Sequence, residues 1–314
     1  MKKRRPKAKA SAAYPRDLVG YGKHPPDPKW PGGARLALQI VMNYEEGGER
    51  SILHGDREAE AFLQEVIGMP VLRGVRNVQV ESMYDYGSRA GFWRLMRTFE
   101  QRGIRISVFA VAMALERHPE AAAAIVEAGH EVVSHGWRWI DYQFVPSSVE
   151  RAHMRRAIEV LTRVTGSRPL GWYTGRLSPN TRRLVVEEGG FLYDADAYDD
   201  DLPYWTQVAG RSHLVVPYTL DNNDMRFALP GGLGTGEEWL SYVRDAFDVL
   251  YAEGADHPKM MSVGLHMRLM GRPGRAAALA RFLDHVQRHA DVWICRRIDI
   301  ARHWIAHHPA RLSG

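Results

Sequence analysis

At 314 residues, with 45% hydrophobic and 25% charged positions, the chain can bury a sizeable core in one large domain or two ordinary ones. No apolar run approaches the roughly 18 residues of a membrane span, so a membrane partner is not expected. The net charge of +5 rests on 42 basic against 37 acidic residues, and its source lies at one end of the chain.

Residues 1–13 carry that source. Lys2, Lys3, Arg4, Arg5, Lys7 and Lys9 fall in the first nine positions, and without them 36 basic residues face 37 acidic ones. A near-neutral body argues against a specific nucleic-acid partner, and the segment reads as a disordered basic tail. No apolar stretch follows it, so it is not read as a secretory signal. Residues 14–34, rich in Pro and Gly, read as an irregular arm laid over the body. From Arg35 apolar strands alternate with amphipathic helices. Leu36 to Met42 is a nearly continuous apolar run, as expected of a strand buried on both faces. A helix is predicted over Ser88–Gln101, then a strand over Ile104–Val111, a helix over Pro119–Ala128 and a short strand over Glu131–Ser134. Ser147 and Glu150 have the spacing of a capping box before the next helix. Leu170–Tyr173 reads as a strand, and Ser178-Pro179 as a helix start with proline in the first turn. Strands near Phe191–Ala195 and Leu214–Tyr218 follow. Thr235 and Glu238 open another helix, Met260–Leu265 is a strand, Pro273–Gln287 a helix, Val292–Cys295 a strand and Ile298–His307 a final helix. The lone cysteine, Cys295, excludes an internal disulfide framework and suits a reducing cytoplasm.

Seven or eight strands joined by helices predict a parallel sheet, and no linker interrupts the series. Residues 35–314 are therefore read as one catalytic (β/α) barrel domain, irregular because the helices differ in length; a doubly wound open sheet is the alternative. Reactive residues in such folds follow the carboxyl ends of the strands. Applied here, that rule gathers Asn43-Tyr44-Glu45-Glu46, His135-Gly136-Trp137-Arg138-Trp139, Tyr173-Thr174-Gly175-Arg176 and His266-Met267-Arg268 at one end. Neighbouring carboxylates in a closed pocket raise one pKa, which suits base catalysis. Two other patterns are set aside. His303 and His307 stand four apart on the last helix, but without the glutamate of the zinc-protease pattern. Gly231 to Gly236 resembles a phosphate cradle but lacks the Lys-Ser/Thr that follows one, and reads as a flexible loop.

The strand-end motifs resemble the polysaccharide deacetylase superfamily. That family carries Thr-Phe-Asp-Asp, a base followed by a metal ligand, then His-Ser/Thr-x-x-x-His for metal, Arg-x-Pro-Tyr, and Leu-x-His with the catalytic acid. Here Asn43-Tyr44-Glu45-Glu46 stands in the first place and His135 matches the first metal histidine. Trp139 replaces the second histidine, Arg176 falls near the arginine motif, and Gly264-Leu265-His266 places a histidine after the same strand. A catalytic zinc needs three protein ligands and an open position, and Glu46 with His135 supplies two. The pattern is similar to the allantoinase branch of the superfamily, which works without metal. Further segments similar to that branch are YPRDLVGYG at 14–22, ESMYDYGSRAGFWR at 81–94, DDLPYW at 200–205 and PYTLDNNDMRF at 217–227.

The resemblance implies a polysaccharide-deacetylase-like barrel, no cofactor or metal, a homotetramer, and hydrolytic opening of the hydantoin ring of allantoin in purine catabolism. It implies Glu45 as base, with Glu46 close behind, and His266 as acid. His135 and Arg176 would orient substrate or stabilise the oxyanion, and Trp137, Trp139, Tyr173 and Arg268 would line the substrate pocket. A cyclic-imide hydrolase and a metal-dependent polysaccharide deacetylase of the same superfamily are the competing readings.

Overall fold

Strand β1 (Leu36–Tyr44) is buried along its whole length, and its two faces serve different layers. Leu36, Leu38, Ile40, Met42 and Tyr44 pack outward into the helical layer, while Ala37 and Val41 join the inner core with Phe109, Tyr173 and Tyr218. The run is apolar without alternation because both faces are covered. A computed structural model describes residue 14 and residues 16–310; the predicted tail over 1–13 lies outside the described residues.

Along the described chain β1 is followed by α1 (Val78–Tyr86), a π-helical turn over Gly87–Gly91, α2 (Phe92–Glu100) and β2 (Ser107–Ala110). Then come α3 (Ala112–Glu116), α4 (Pro119–Glu127), β3 (Glu131–Ser134), α5 (Ser147–Thr165), β4 (Gly171–Trp172) and α6 (Thr181–Glu188). β5 (Tyr193–Asp194), β6 (Tyr204–Val208), β7 (Arg211–Val215), α7 (Gly236–Glu253), β8 (Lys259–His266), α8 (Pro273–Val286), β9 (Val292–Cys295) and α9 (Arg297–His307) complete the series. The sheet runs β6-β7-β5-β4-β3-β2-β1-β8, with β9 beside the first half of β1. Eight of the nine described strands are parallel; β6 pairs antiparallel with β7. The far edge of β8 meets the chain at Asn223, bridged to Gly264, so the barrel closes through irregular backbone. A Cβ on Gly264 would lie 2.3 Å from both the Asn223 amide nitrogen and the Tyr218 hydroxyl, so that seam requires glycine. This is the irregular (β/α) barrel expected from the alternation of strands and helices.

Three expectations need correction. The helix predicted from Ser88 begins at Val78, ten residues earlier; α1 buries only Val80 and Tyr84, too thin a stripe to stand out in the sequence. The β6–β7 hairpin was not expected, because β6 is half-exposed and carries no apolar alternation. The capping box at Ser147 does not form. Pro146 precedes the helix without a side-chain cap, and Glu150 instead accepts hydrogen bonds from Ser178 (2.6 Å) and Thr181. The box at Thr235 and Glu238 does form.

Candidate active site

Side chains on a strand alternate between faces, and that alternation assembles the site. Ala37, Val41 and Asn43 point inward on β1, and the next inward position is Glu45. Val133 points inward on β3 and leads to His135, while Ser262 on β8 bonds the interior Arg297 (3.1 Å) and leads through Gly264 to His266. Glu45, His135 and His266 are each at most 4% exposed.

Glu45 is the hub. Its Oε1 lies 3.2 Å from His135 Nε2 and 3.5 Å from His266 Nε2, and its Oε2 accepts from Arg268 Nη2 at 2.7 Å. Glu46 faces the other way. Its carboxylate accepts the Glu45 amide (3.0 Å), the Arg268 amide (3.2 Å) and Arg268 Nη1 (3.2 Å). A Cβ on Gly87 would lie 2.3 Å from Glu46 Oε1, so the π-helical turn presses glycine against this carboxylate. Arg268 thus clamps both glutamates; its Nε donates to the Leu63 carbonyl (2.7 Å) and its guanidinium lies 4.2 Å from the Tyr84 ring centre.

Behind His266 stands Asp224, fully buried and not singled out from sequence. Its Oδ1 is 2.7 Å from His266 Nδ1, and its Oδ2 accepts the amides of His266 (2.7 Å) and Met270 (3.0 Å). Asp224 opens a short 3₁₀ turn after Asn223, and DNND gives no more signal than a loop would. Burial alone would lower the His266 imidazole, but the Glu45 and Asp224 carboxylates outweigh it and push the pKa up to about 9. Burial alone would likewise raise the Glu45 carboxyl. The charges of His266 and Arg268 and the hydrogen bond to His135 outweigh it, and hold Glu45 well below the usual carboxylate range. Glu46 moves up, because burial prevails over the attraction of Arg268. The resting site is therefore an ion pair, with Glu45 ionised and His266 protonated.

The predicted pocket walls divide. Tyr173 lies 4.9 Å from the His135 ring and packs with Phe109 and Tyr218, beside the cluster. Trp139 is drawn toward it as well: its ring stacks on Phe62 and lies 5.2 Å from the Arg268 guanidinium. Arg176 lies against both rings, 3.7 Å from the Trp139 ring centre and 5.5 Å from that of Phe62, and is paired with Glu60 at 3.0 Å. Trp137 packs under Arg156 of α5 (4.1 Å), which places it in the outer layer. His303 Nε2 donates to the Pro28 carbonyl and His307 Nδ1 to the His303 carbonyl, so the pair does not face a common ligand. The segment carrying Glu60, Phe62 and Leu63 packs beside the cluster, with Glu60 on Arg176, Phe62 on Trp139 and the Leu63 carbonyl on Arg268. His135 Nδ1 is buried without a hydrogen-bond partner, so one polar valence of the site is left for a bound molecule. A cavity of about 900 Å³ lies elsewhere, on the β7–β8 seam, lined by Asp201, Asn222 and Tyr242 among others. It does not touch Glu45 or His266.

The superfamily's zinc does not fit these residues. Glu46 is committed to Arg268 and two amides, His135 addresses Glu45 instead, and the Trp139 indole offers no ligand.

The family model for polysaccharide deacetylases matches residues 75–189. A Schizosaccharomyces pombe protein grouped with the polysaccharide deacetylases is 42% identical over 94% of this chain and 98% of its own. Two crystal structures are each 60% identical. One is PuuE allantoinase, covering 96% of this chain and 100% of its own with a TM-score of 0.94. The other is a "probable polysaccharide deacetylase" from Pseudomonas aeruginosa PAO1, covering 95% and 100% with a TM-score of 0.93.

Proposed function

The chain belongs to the polysaccharide deacetylase family of hydrolases, and within it we propose that this member is an allantoinase that opens the hydantoin ring without a metal. The observation that carries this reading is the likeness to PuuE allantoinase over 96% of the chain. The geometry supports it independently. Ring opening adds water to a ring carbonyl and breaks the neighbouring C–N bond, which calls for a base, an oxyanion partner and an acid for the leaving nitrogen. Glu45, ionised and aimed at the site, takes the proton of water while the water oxygen bonds to the carbonyl carbon. His266 gives its Nε2 proton to the nitrogen as the C–N bond breaks. His135 and Arg268 supply the hydrogen bonds and positive charge for the oxyanion.

The coupling within the ion pair favours this order. Ionised Glu45 and Asp224 together hold the proton on His266. Once Glu45 has taken the proton from water, that hold weakens and His266 becomes a stronger acid as the leaving nitrogen needs a proton. Proton return from Glu45 to His266 restores the pair.

The test is turnover of allantoin by chelator-treated protein, followed as allantoate formation. Undiminished turnover is expected. Loss of activity that zinc or cobalt restores would overturn the metal-free reading. Absence of allantoin turnover beside hydrolysis of another cyclic imide would move the substrate assignment and leave the chemistry in place.

A further inference from the structure

We propose that Asp248, His285 and His289 form a binding site for a divalent transition-metal ion, remote from the catalytic cluster and serving to fasten α7 to α8. Among the described residues this is the group of three His, Cys, Asp or Glu side chains whose ligand atoms all lie within 4.8 Å of one another. The donor set is two imidazoles and one carboxylate, which suits zinc, cobalt, nickel or copper rather than magnesium or calcium.

The local structure prepares these ligands. His285 and His289 stand four apart across the C-terminal turn of α8, with ring centres 4.9 Å apart. His285 Nε2 already meets Asp248 Oδ1 at 2.7 Å, so a metal ion would replace a shared proton. His289 Nδ1 hydrogen-bonds the His285 carbonyl at 3.1 Å. That bond makes Nδ1 the protonated nitrogen and leaves the Nε2 lone pair free, the orientation that metal-binding histidines adopt. Phe247 packs edge-on against both imidazoles at 5.5 and 5.0 Å, and Tyr251 against His289 at 4.8 Å, which limits their rotation. Three protein ligands with solvent on one side leave room for water to complete the coordination.

Topology places the site at the far end of the barrel. α7 and α8 run back from the carboxyl ends of the strands, and Asp248, His285 and His289 lie toward their C-termini, near the starts of β8 and β9. That end of a (β/α) barrel serves stability rather than chemistry. The inference is independent of the proposed activity, and its readouts are binding and melting.

The experiment titrates untagged, chelator-treated protein with Zn²⁺ and Co²⁺ at pH 7.5, alongside Asp248→Asn and His289→Gln. The wild-type chain should bind one equivalent, give a Co²⁺ d–d spectrum, and gain about 5 °C in Tm at 100-fold excess over Kd. Both variants should lose the spectrum and the gain while melting, metal-free, near the wild type. No saturable binding below about 1 mM, or equal binding by both variants, would overturn the site. Failure of allantoin turnover would leave this result untouched, and failure here would leave the activity untouched.

Discussion

Asp224→Asn offers a demanding test of the proposed chemistry, because Asp224 touches no substrate and acts only through His266. The carboxylate uses Oδ2 for two backbone amides and Oδ1 for His266 Nδ1. An asparagine keeps the two amide bonds by turning its carbonyl toward them, and its NH₂ then faces Nδ1. Two N–H groups cannot share that contact, so the imidazolium is disfavoured and the neutral ring, accepting at Nδ1, takes its place. The pKa of about 9 in the resting site rests on Glu45 and Asp224 together. If loss of one carboxylate returns the ring toward its ordinary value near 6.5, the protonated fraction at pH 7.5 falls from about 97% to about 10%. The neutral ring keeps its proton on Nε2 but is a far weaker acid than the imidazolium, so turnover should fall by roughly 10²- to 10⁴-fold, the range of a positioned acid. The assay is kcat/KM for allantoin against pH. The wild type should stay flat through neutrality and decline as pH rises through about 9, where His266 loses its proton; in the variant the decline should begin near neutrality. A purely structural role for Asp224 would lower stability and leave that limb in place. Full turnover with an unmoved alkaline limb would refute the reasoning.

Glu45→Gln should reduce kcat by roughly 10²- to 10⁴-fold with the fold intact, and His266→Ala by a similar factor, the two together costing less than the product. Glu46→Gln should cost less in rate, because Glu46 positions Arg268; a larger loss than for Glu45→Gln would transfer the role of base to Glu46. Gly87→Ala should lower both activity and Tm, since its Cβ would fall 2.3 Å from Glu46 Oε1; wild-type Tm and rate would show that the turn yields freely.

Legibility from sequence followed burial. β3 and β9 have the predicted bounds, Glu131–Ser134 and Val292–Cys295, because short apolar runs between turn signals leave little latitude. The strand-end rule picks out Glu45, His135, His266 and Arg268 from sequence, since a parallel barrel projects its loop residues to one end. It could not separate neighbours. Trp137 and Trp139 are two apart in one loop, yet one packs under Arg156 and the other beside Arg268. Nor could it find Asp224, whose role depends on lying 42 residues upstream of the histidine it holds. Glu150 shows the same limit: local spacing predicted a cap, and a tertiary contact with Ser178 took the carboxylate away.

Trp139 links the chemistry to the kind of substrate. In the deacetylase pattern this position is a metal ligand; an indole removes the ligand and adds a large flat surface. One face takes Arg176, and the ring also stacks with Phe62. Arg176 in turn holds Glu60, and Leu63 caps Arg268 through its carbonyl. The residue that removes the third ligand therefore also anchors the 60–63 segment beside Arg268, next to the buried Glu45 and His266. A buried site of this kind is in keeping with the small ring proposed as substrate, whereas a long polymer needs an open groove. Burial also strengthens the remaining charges, because the same ion pair interacts far more strongly away from water. In the proposed reaction a guanidinium and an imidazolium held at fixed positions stand in for the metal's charge, and burial makes two single charges effective where solvent would screen them. If the proposed function holds, the loss of the metal ligand and the change from polymer to small cyclic amide are one structural event.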